Sequence, residues 1–394
     1  MRHLILPRVL SPSGVCIRWS DILAGFKAAM QGEDALRLFR DEICRYFGVR
    51  HAFLVSSGRA ALSVLLTALQ AQCQCPEKDT VLIPGYTSFS VPSAVVNAGF
   101  KVSLYDLDGV TLSPNQQSLL HSINERTLCI VACHLYGYPC DMDSIKEIAA
   151  SLEIPVIDDA AQAMGATYKG AYVGTLGTAG LFSLSRGKNI TAVDGGVIVT
   201  DDDRLAAILG KINLPKPTGQ DCILTIIKAF MLSILLYPWI YWLPQRLAFL
   251  KLGASAFAPE FSKKQLLPFQ AGIGQEMLGR LATINIKRGA IARALQDRLN
   301  KAVTFIRPVT GAEPVYLRLP ILCSTHTTQA HHELGVVRSY PLPLDAVAEL
   351  QLYLASQGKN PVAKILAEQI LTLPTHEFVI DSDIDAIVKS LSKI

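Results

Sequence analysis

Three clusters of residues have the types and spacing to do chemistry. The first is Val156-Ile157-Asp158-Asp159-Ala160-Ala161-Gln162, an apolar run ending in two carboxylates. In an open α/β sheet such a run brings its last residues to the carboxyl edge, where ligands bind. A carboxylate buried there needs a partner. The second is Phe182-Ser183-Leu184-Ser185-Arg186-Gly187-Lys188, a strand end passing into a hydroxyl-rich turn that presents a lysine. Desolvation beside an apolar sheet lowers a lysine pKa and makes the amine a Schiff-base nucleophile toward carbonyls. The third is Leu54-Val55-Ser56-Ser57-Gly58-Arg59-Ala60, read as a strand, a small-residue turn and a helix start. Free N–H groups at a helix N-terminus, with serine hydroxyls beside them, suit a phosphate.

These clusters need a scaffold that holds them at one edge. Between about 51 and 200, short β-branched runs alternate with helical patterns, which predicts a mostly parallel sheet with crossover helices. The predicted strands are 51–55, 80–83, 101–105, 128–132, 155–157, 180–183 and 196–200. The predicted helices are 59–70, 91–97, 143–152 and 203–211. Residues 1–215 form the large α/β domain, with the first 45 or so read as an N-terminal arm. After Pro215-Lys216-Pro217-Thr218-Gly219 an apolar, aromatic insertion spans 216–262. A linking helix and a small α+β domain fill 263–394, with strands at 315–319 and 335–339 and helices at 344–356, 363–369 and 383–391.

Composition narrows the function class. Half of the 394 residues are hydrophobic and 18% are charged, which excludes disorder over most of the length. The 37 basic and 33 acidic residues are scattered, with no cationic run of the kind that neutralises nucleic acid. Nine cysteines, an odd number without paired metal-type spacings, read as reduced thiols. With Pro7 cutting the N-terminal apolar stretch short, they point to a cytoplasmic protein. No metal site is expected, because His331-His332 has no third ligand at a fitting spacing.

A turn-borne lysine, a strand-end acid opposite a pyridine nitrogen and a phosphate turn are together the parts of a pyridoxal phosphate site. Beyond those parts, the chain resembles the DegT/DnrJ/StrS family of sugar aminotransferases, fold-type I pyridoxal-phosphate enzymes. The resemblance is carried by Ser57-Gly58-Arg59-Ala60-Ala61-Leu62, Ile83-Pro84-Gly85-Tyr86-Thr87, His134-Leu135-Tyr136-Gly137, Asp158-Asp159-Ala160-Ala161-Gln162, Ser183 with Lys188, Asp194-Gly195-Gly196 and Leu373-Pro374-Thr375-His376. It implies that Lys188 bonds covalently to the cofactor and afterwards shuttles the proton. It further implies that Asp159 faces the pyridinium nitrogen, that Gln162 packs near the ring, and that Ser57, Gly58, Arg59 and Ser183 hold the phosphate. Phe89 is counted with the cofactor-binding residues, but Ser88 stands where the family has its ring-stacking aromatic, which leaves open the residue that stacks on the ring. Tyr86, His134, Lys263 and Lys264 are the substrate candidates; Lys263-Lys264-Gln265 replaces the family's asparagine-tyrosine-arginine segment. The implied reaction moves an amino group from an amino acid such as glutamate to a keto group of a nucleotide- or lipid-linked sugar, in a homodimer. A dehydratase of this family would carry histidine in place of Lys188. A rival reading is a degenerate cofactor-binding scaffold or regulator at the membrane.

The mean hydropathy, +0.31, is high for an enzyme and has a local source. Residues 223–252 carry Trp239, Trp242, Tyr237 and Tyr241 among aliphatic residues, with Lys228, Arg246 and Lys251 at the flanks. The run from Lys228 to Gln245 is shorter than the roughly 18 to 20 residues that span a bilayer, and Pro238 interrupts it. Two readings stay open: contact with the inner face of the cytoplasmic membrane and a buried dimer interface or site wall.

Overall fold

The runs predicted as buried strands do form one sheet. In the computed structural model, which describes residues 8–246, 256–299, 302–323, 330–356 and 358–391, the first strands are β1 (His51–Val55), β2 (Thr80–Pro84), β3 (Lys101–Tyr105), β4 (Thr127–Cys133) and β5 (Val156–Asp159). The short pair β6 (Thr167–Tyr168) and β7 (Ala171–Tyr172) follows, then β8 (Ala179–Ser183) and β9 (Gly196–Thr200). The central order is β1-β9-β8-β5-β4-β2-β3. All neighbours pair in parallel except β9, which runs against both β8 and β1. Every residue of β2, β4, β5, β8 and β9 is buried. Helices on both faces account for their lack of alternation.

The N-terminal region differs from expectation. Instead of an arm it holds two helices, α1 (Trp19–Gln31) and α2 (Glu33–Phe47), divided by Gly32 at φ +61°. The crossovers are α3 (Gly58–Cys73), α4 (Ser90–Asn97), α5 (Gln116–Ser122) and α6 (Met142–Ser151), and α7 (Asp203–Lys211) follows β9. The apolar segment folds as α8 (Gly219–Leu235), a turn, and α9 (Trp242–Arg246); residues 247–252 of that segment lie outside the described residues. No helix among the described residues is long and apolar enough to cross a membrane. The linking helix is two helices, α10 (Pro268–Gly279) and α11 (Leu281–Leu299). A Cβ at Gly272 would meet the Ala24 carbonyl oxygen at 2.5 Å, so small residues let α10 lie directly on α1.

The C-terminal part contains β10 (Thr304–Phe305), β11 (Ala312–Glu313), β12 (Leu319–Leu322), α12 (Pro361–Gln369), β13 (Ile370–Leu373) and α13 (Asp381–Leu391). β12 lies between β10 and β13, while β11 pairs with β6 in a separate three-stranded sheet, β11-β6-β7. The strand expected at 315–319 begins only at Leu319. Its earlier residues are spent on the large domain, where the Val315 N–H donates to the Gly137 carbonyl at 3.0 Å. The strand expected at 335–339 reduces to one bridge, Val337 to Thr372. The helix expected at 344–356 is two short 3-10 turns parted by extended Val347. All nine cysteines are unpaired.

Candidate active site

β5 delivers two adjacent carboxylates, and because successive side chains on a strand point to opposite faces they have different fates. Asp158 is fully buried and already satisfied. One oxygen accepts the N–H groups of Gly174 and Leu176 at 2.7 and 2.9 Å; the other faces His134 Nε2 at 2.5 Å. His134 Nδ1 accepts the Cys140 N–H at 3.0 Å, which assigns the proton to Nε2. His134 is therefore locked beneath the sheet edge by its own chain. Asp159 is left with capacity to spare. Its Oδ1 accepts the Ala161 N–H at 3.0 Å, and Oδ2 meets the Cys133 thiol at 3.7 Å. Burial pushes its pKa up, opposed by the Ala161 N–H and the Lys188 ammonium. It is a buried acceptor suited to a cationic partner.

Lys188 is carried on the loop from β8 to β9. The loop closes on itself: Leu184 N–H donates to the Gly195 carbonyl and Ala192 N–H to the Leu184 carbonyl, both at 2.8 Å. Val193 sits at φ +74°, a conformation costing a β-branched residue on the order of 1–3 kcal/mol. From behind, the fully buried Arg288 of α11 donates to the carbonyls of Gly14 (2.8 Å), Leu317 (3.1 Å) and Lys188 (3.5 Å). Burial lowers the Lys188 pKa to about 8, Asp159 opposing the shift and the Arg318 guanidinium adding to it. An amine so placed is a nucleophile near neutral pH.

The phosphate turn is equally constrained. Ser57 caps α3, its Oγ accepting the Ala60 N–H at 3.1 Å. A Cβ at Gly58 would lie 2.8 Å from Ser183 Cβ, and one at Gly196 would strike the Ser57 carbonyl at 2.3 Å. Bare backbone thus brings Ser57, Gly58 and Ser183 together, and Ser185 Oγ is 3.1 Å from Ser183 Oγ. Arg59 stands beside this turn with its guanidinium 4.8 Å from the Phe261 ring centre.

Above the sheet edge lies a cluster of tyrosines. Tyr86 and Tyr136 hydroxyls are 2.7 Å apart, and the Tyr340 ring stacks on Tyr136 at 5.7 Å. Gln162 Oε1 accepts the Tyr136 N–H at 3.1 Å, holding that residue at φ +58°. Phe89 is buried one residue before α4. Lys263 Nζ donates to Ser63 Oγ at 3.3 Å and Lys264 Nζ pairs with Asp221 at 2.7 Å, so both candidate cations are engaged within the chain. Arg288, Arg318 and Tyr340 were not singled out from sequence, and Tyr136 was quoted only within its motif, with no role. Arg318 and Tyr340 come from the distant C-terminal part, and no local motif announces them.

A model of the DegT/DnrJ/EryC1/StrS aminotransferase family matches residues 20–216 and 261–392, most of the chain. The chain belongs to this family. An uncharacterized protein of Methanocaldococcus jannaschii is 36% identical over 168 residues, a match spanning 43% of this chain and 42% of that relative. Among solved structures, Helicobacter pylori PseC, an aminotransferase involved in the biosynthesis of pseudoaminic acid, is similar with a TM-score of 0.77 at 19% identity over 98% of each chain. E. coli GDP-4-keto-6-deoxy-D-mannose-3-dehydratase, solved with bound hydrated pyridoxal phosphate, has a TM-score of 0.73 at 20% identity, covering 97% of this chain and all of that one. At these identities the likeness is one of fold: fold-type I, large mostly parallel sheet first and small α+β part last. The residues of this DegT-family pocket fit pyridoxal phosphate. They offer a depressed lysine for the aldehyde, a buried acid for the ring nitrogen, and a bare-backbone cradle with three serine hydroxyls for the phosphate.

Proposed function

We propose that this chain is a pyridoxal-phosphate aminotransferase that takes an amino group from an amino acid, glutamate foremost, and passes it to a keto group of a nucleotide- or lipid-linked sugar. The observation that supports it most is the meeting of Lys188, Asp159 and the Ser57–Gly58 turn at the carboxyl edge of one buried sheet. The cofactor, when bound, supplies the electron sink that stabilises the carbanion. Asp159 holds a proton on the ring nitrogen by offering it a charge partner in a water-poor setting. Lys188 Nζ, its pKa lowered to about 8 by burial, would in its uncharged form take the substrate proton and return it to the carbon on the other side of the nitrogen. Gln162 fixes Tyr136, and the Tyr86–Tyr136 pair forms the wall against which the acceptor is oriented. A lysine at 188 supports transamination over the dehydration for which the family uses histidine.

The test is the visible spectrum of the purified protein before and after glutamate. A yellow chromophore that glutamate bleaches, absent from Lys188→Ala, is expected, with release of 2-oxoglutarate. A wild-type protein that stays colourless after pyridoxal phosphate is added would end this reading.

A further inference from the structure

Two helices present apolar stripes to solvent side by side. On α1, Leu23 and Met30 are 68% and 83% exposed, in one stripe with Trp19. On α8, Ile223, Leu224 and Ile227 are 60%, 54% and 49% exposed. Phe230 of α8 joins the stripes, its ring 5.7 Å from Trp19 and 6.4 Å from Phe26. The turn after α8 extends the surface with half-exposed Trp239. A continuous apolar face of this kind is a contact surface.

Charge decides for what. The exposed ionic side chains on these helices and at their caps are Arg18, Lys27 and Lys228. The acids are spoken for: Asp21 is buried 2.5 Å from Arg280, and Asp221 pairs with Lys264. A second copy meeting this face about a twofold axis would set cations against cations with no free acid to answer them. Cations and tryptophans around an aliphatic stripe complement anionic headgroups over acyl chains. The family model leaves out residues 217–260, so the α8 half of the face lies outside the family match. The 17 residues of α8 extend about 25 Å, short of a bilayer crossing, which suits a helix lying along the interface.

We propose that the α1–α8 face docks on an anionic phospholipid bilayer. Binding needs no turnover, so it is measured apart from the aminotransferase reaction, by co-sedimentation of the full-length protein with vesicles of phosphatidylcholine alone or mixed with phosphatidylglycerol. Sedimentation with the mixed vesicles, weakened by salt, is the expected result. Leu224→Glu/Ile227→Glu on α8 and, independently, Leu23→Glu on α1 each lower the bound fraction by about tenfold or more, with unchanged circular dichroism. The idea fails if the wild-type protein ignores both kinds of vesicle. It fails equally if the α8 variant turns a dimer into a monomer by light scattering while vesicle binding persists.

Discussion

The lysine pocket and the α1–α8 face are built on opposite terms. In the pocket, polar atoms are buried and almost every one has a specific partner: Asp158 is closed by His134 and two N–H groups, Ser57 by its helix, the Lys188 carbonyl by Arg288. On the face, large apolar side chains such as Leu23, Met30 and Ile223 stand in solvent. The family model covers the first and skips the α8 half of the second. A region defined by hydrogen bonds tolerates few exchanges, since each leaves a buried group unpaired. A region defined by apolar area tolerates many. The pocket is thus the exacting part, and the α8 half of the face, outside the family match, is the permissive one.

That contrast can be pressed from its strong end to its weak one. Lys188→Ala should lower turnover by more than about 10⁴-fold, since it removes both covalent anchor and proton carrier; near-normal turnover would place the chemistry elsewhere. Asp159→Asn should cost on the order of 10² to 10³ in kcat, whereas Asp158→Asn should show its main effect in thermal stability. Equal kcat losses without a stability difference would erase the distinction drawn between the two carboxylates. Acid should also act on the buried frame. His376 is buried with its Nε2 on the Ser11 carbonyl at 2.8 Å, and burial holds its pKa at about 4 against 6.5 in the open chain. The unfolded chain therefore takes up this proton first, and stability falls as pH drops from 6.5 to 4, by about 3 kcal/mol from this group. His376→Gln should remove that component from a pH series of denaturation midpoints. At the weak end, Leu224→Glu/Ile227→Glu should leave the melting free energy within about 0.5 kcal/mol; a larger loss in calorimetry would mean that the face is structural.

Much of the sheet was legible because doubly buried strands announce themselves as continuous apolar runs such as Cys129–Ala132, and the crossovers as amphipathic stretches bounded by turn residues. The pocket was legible where it is local: Lys188, Asp159, Ser57 and Gly58 each sit on a strand end followed by a tight turn. α1 went unread because its exposed apolar stripe blurs the polar side of its period, while its buried side combines Ile22 with Asp21, Gly25 and Ala28. β13 went unread because Ile370–Leu373 follows α12 without a turn residue between them. The separate duties of Asp158 and Asp159 depend on which face of β5 each occupies, and identical residue types carry no such label. Arg288 reads as one cation on a polar helix. Only the packing of α11 against the loop reveals where it reaches.

Arg288 has a consequence for how the enzyme comes into being. Its guanidinium draws on Gly14 near the beginning, Lys188 in the middle and Leu317 near the end. A nascent chain halted before Leu317 has the strands, the turn and the lysine but lacks one of the carbonyls that seats the bolt behind them. Synthesis runs from the first residue to the last, so the set of carbonyls that seats Arg288 behind this loop is complete only once Leu317 has been made. Incomplete chains on the ribosome would carry the amine without its full backing.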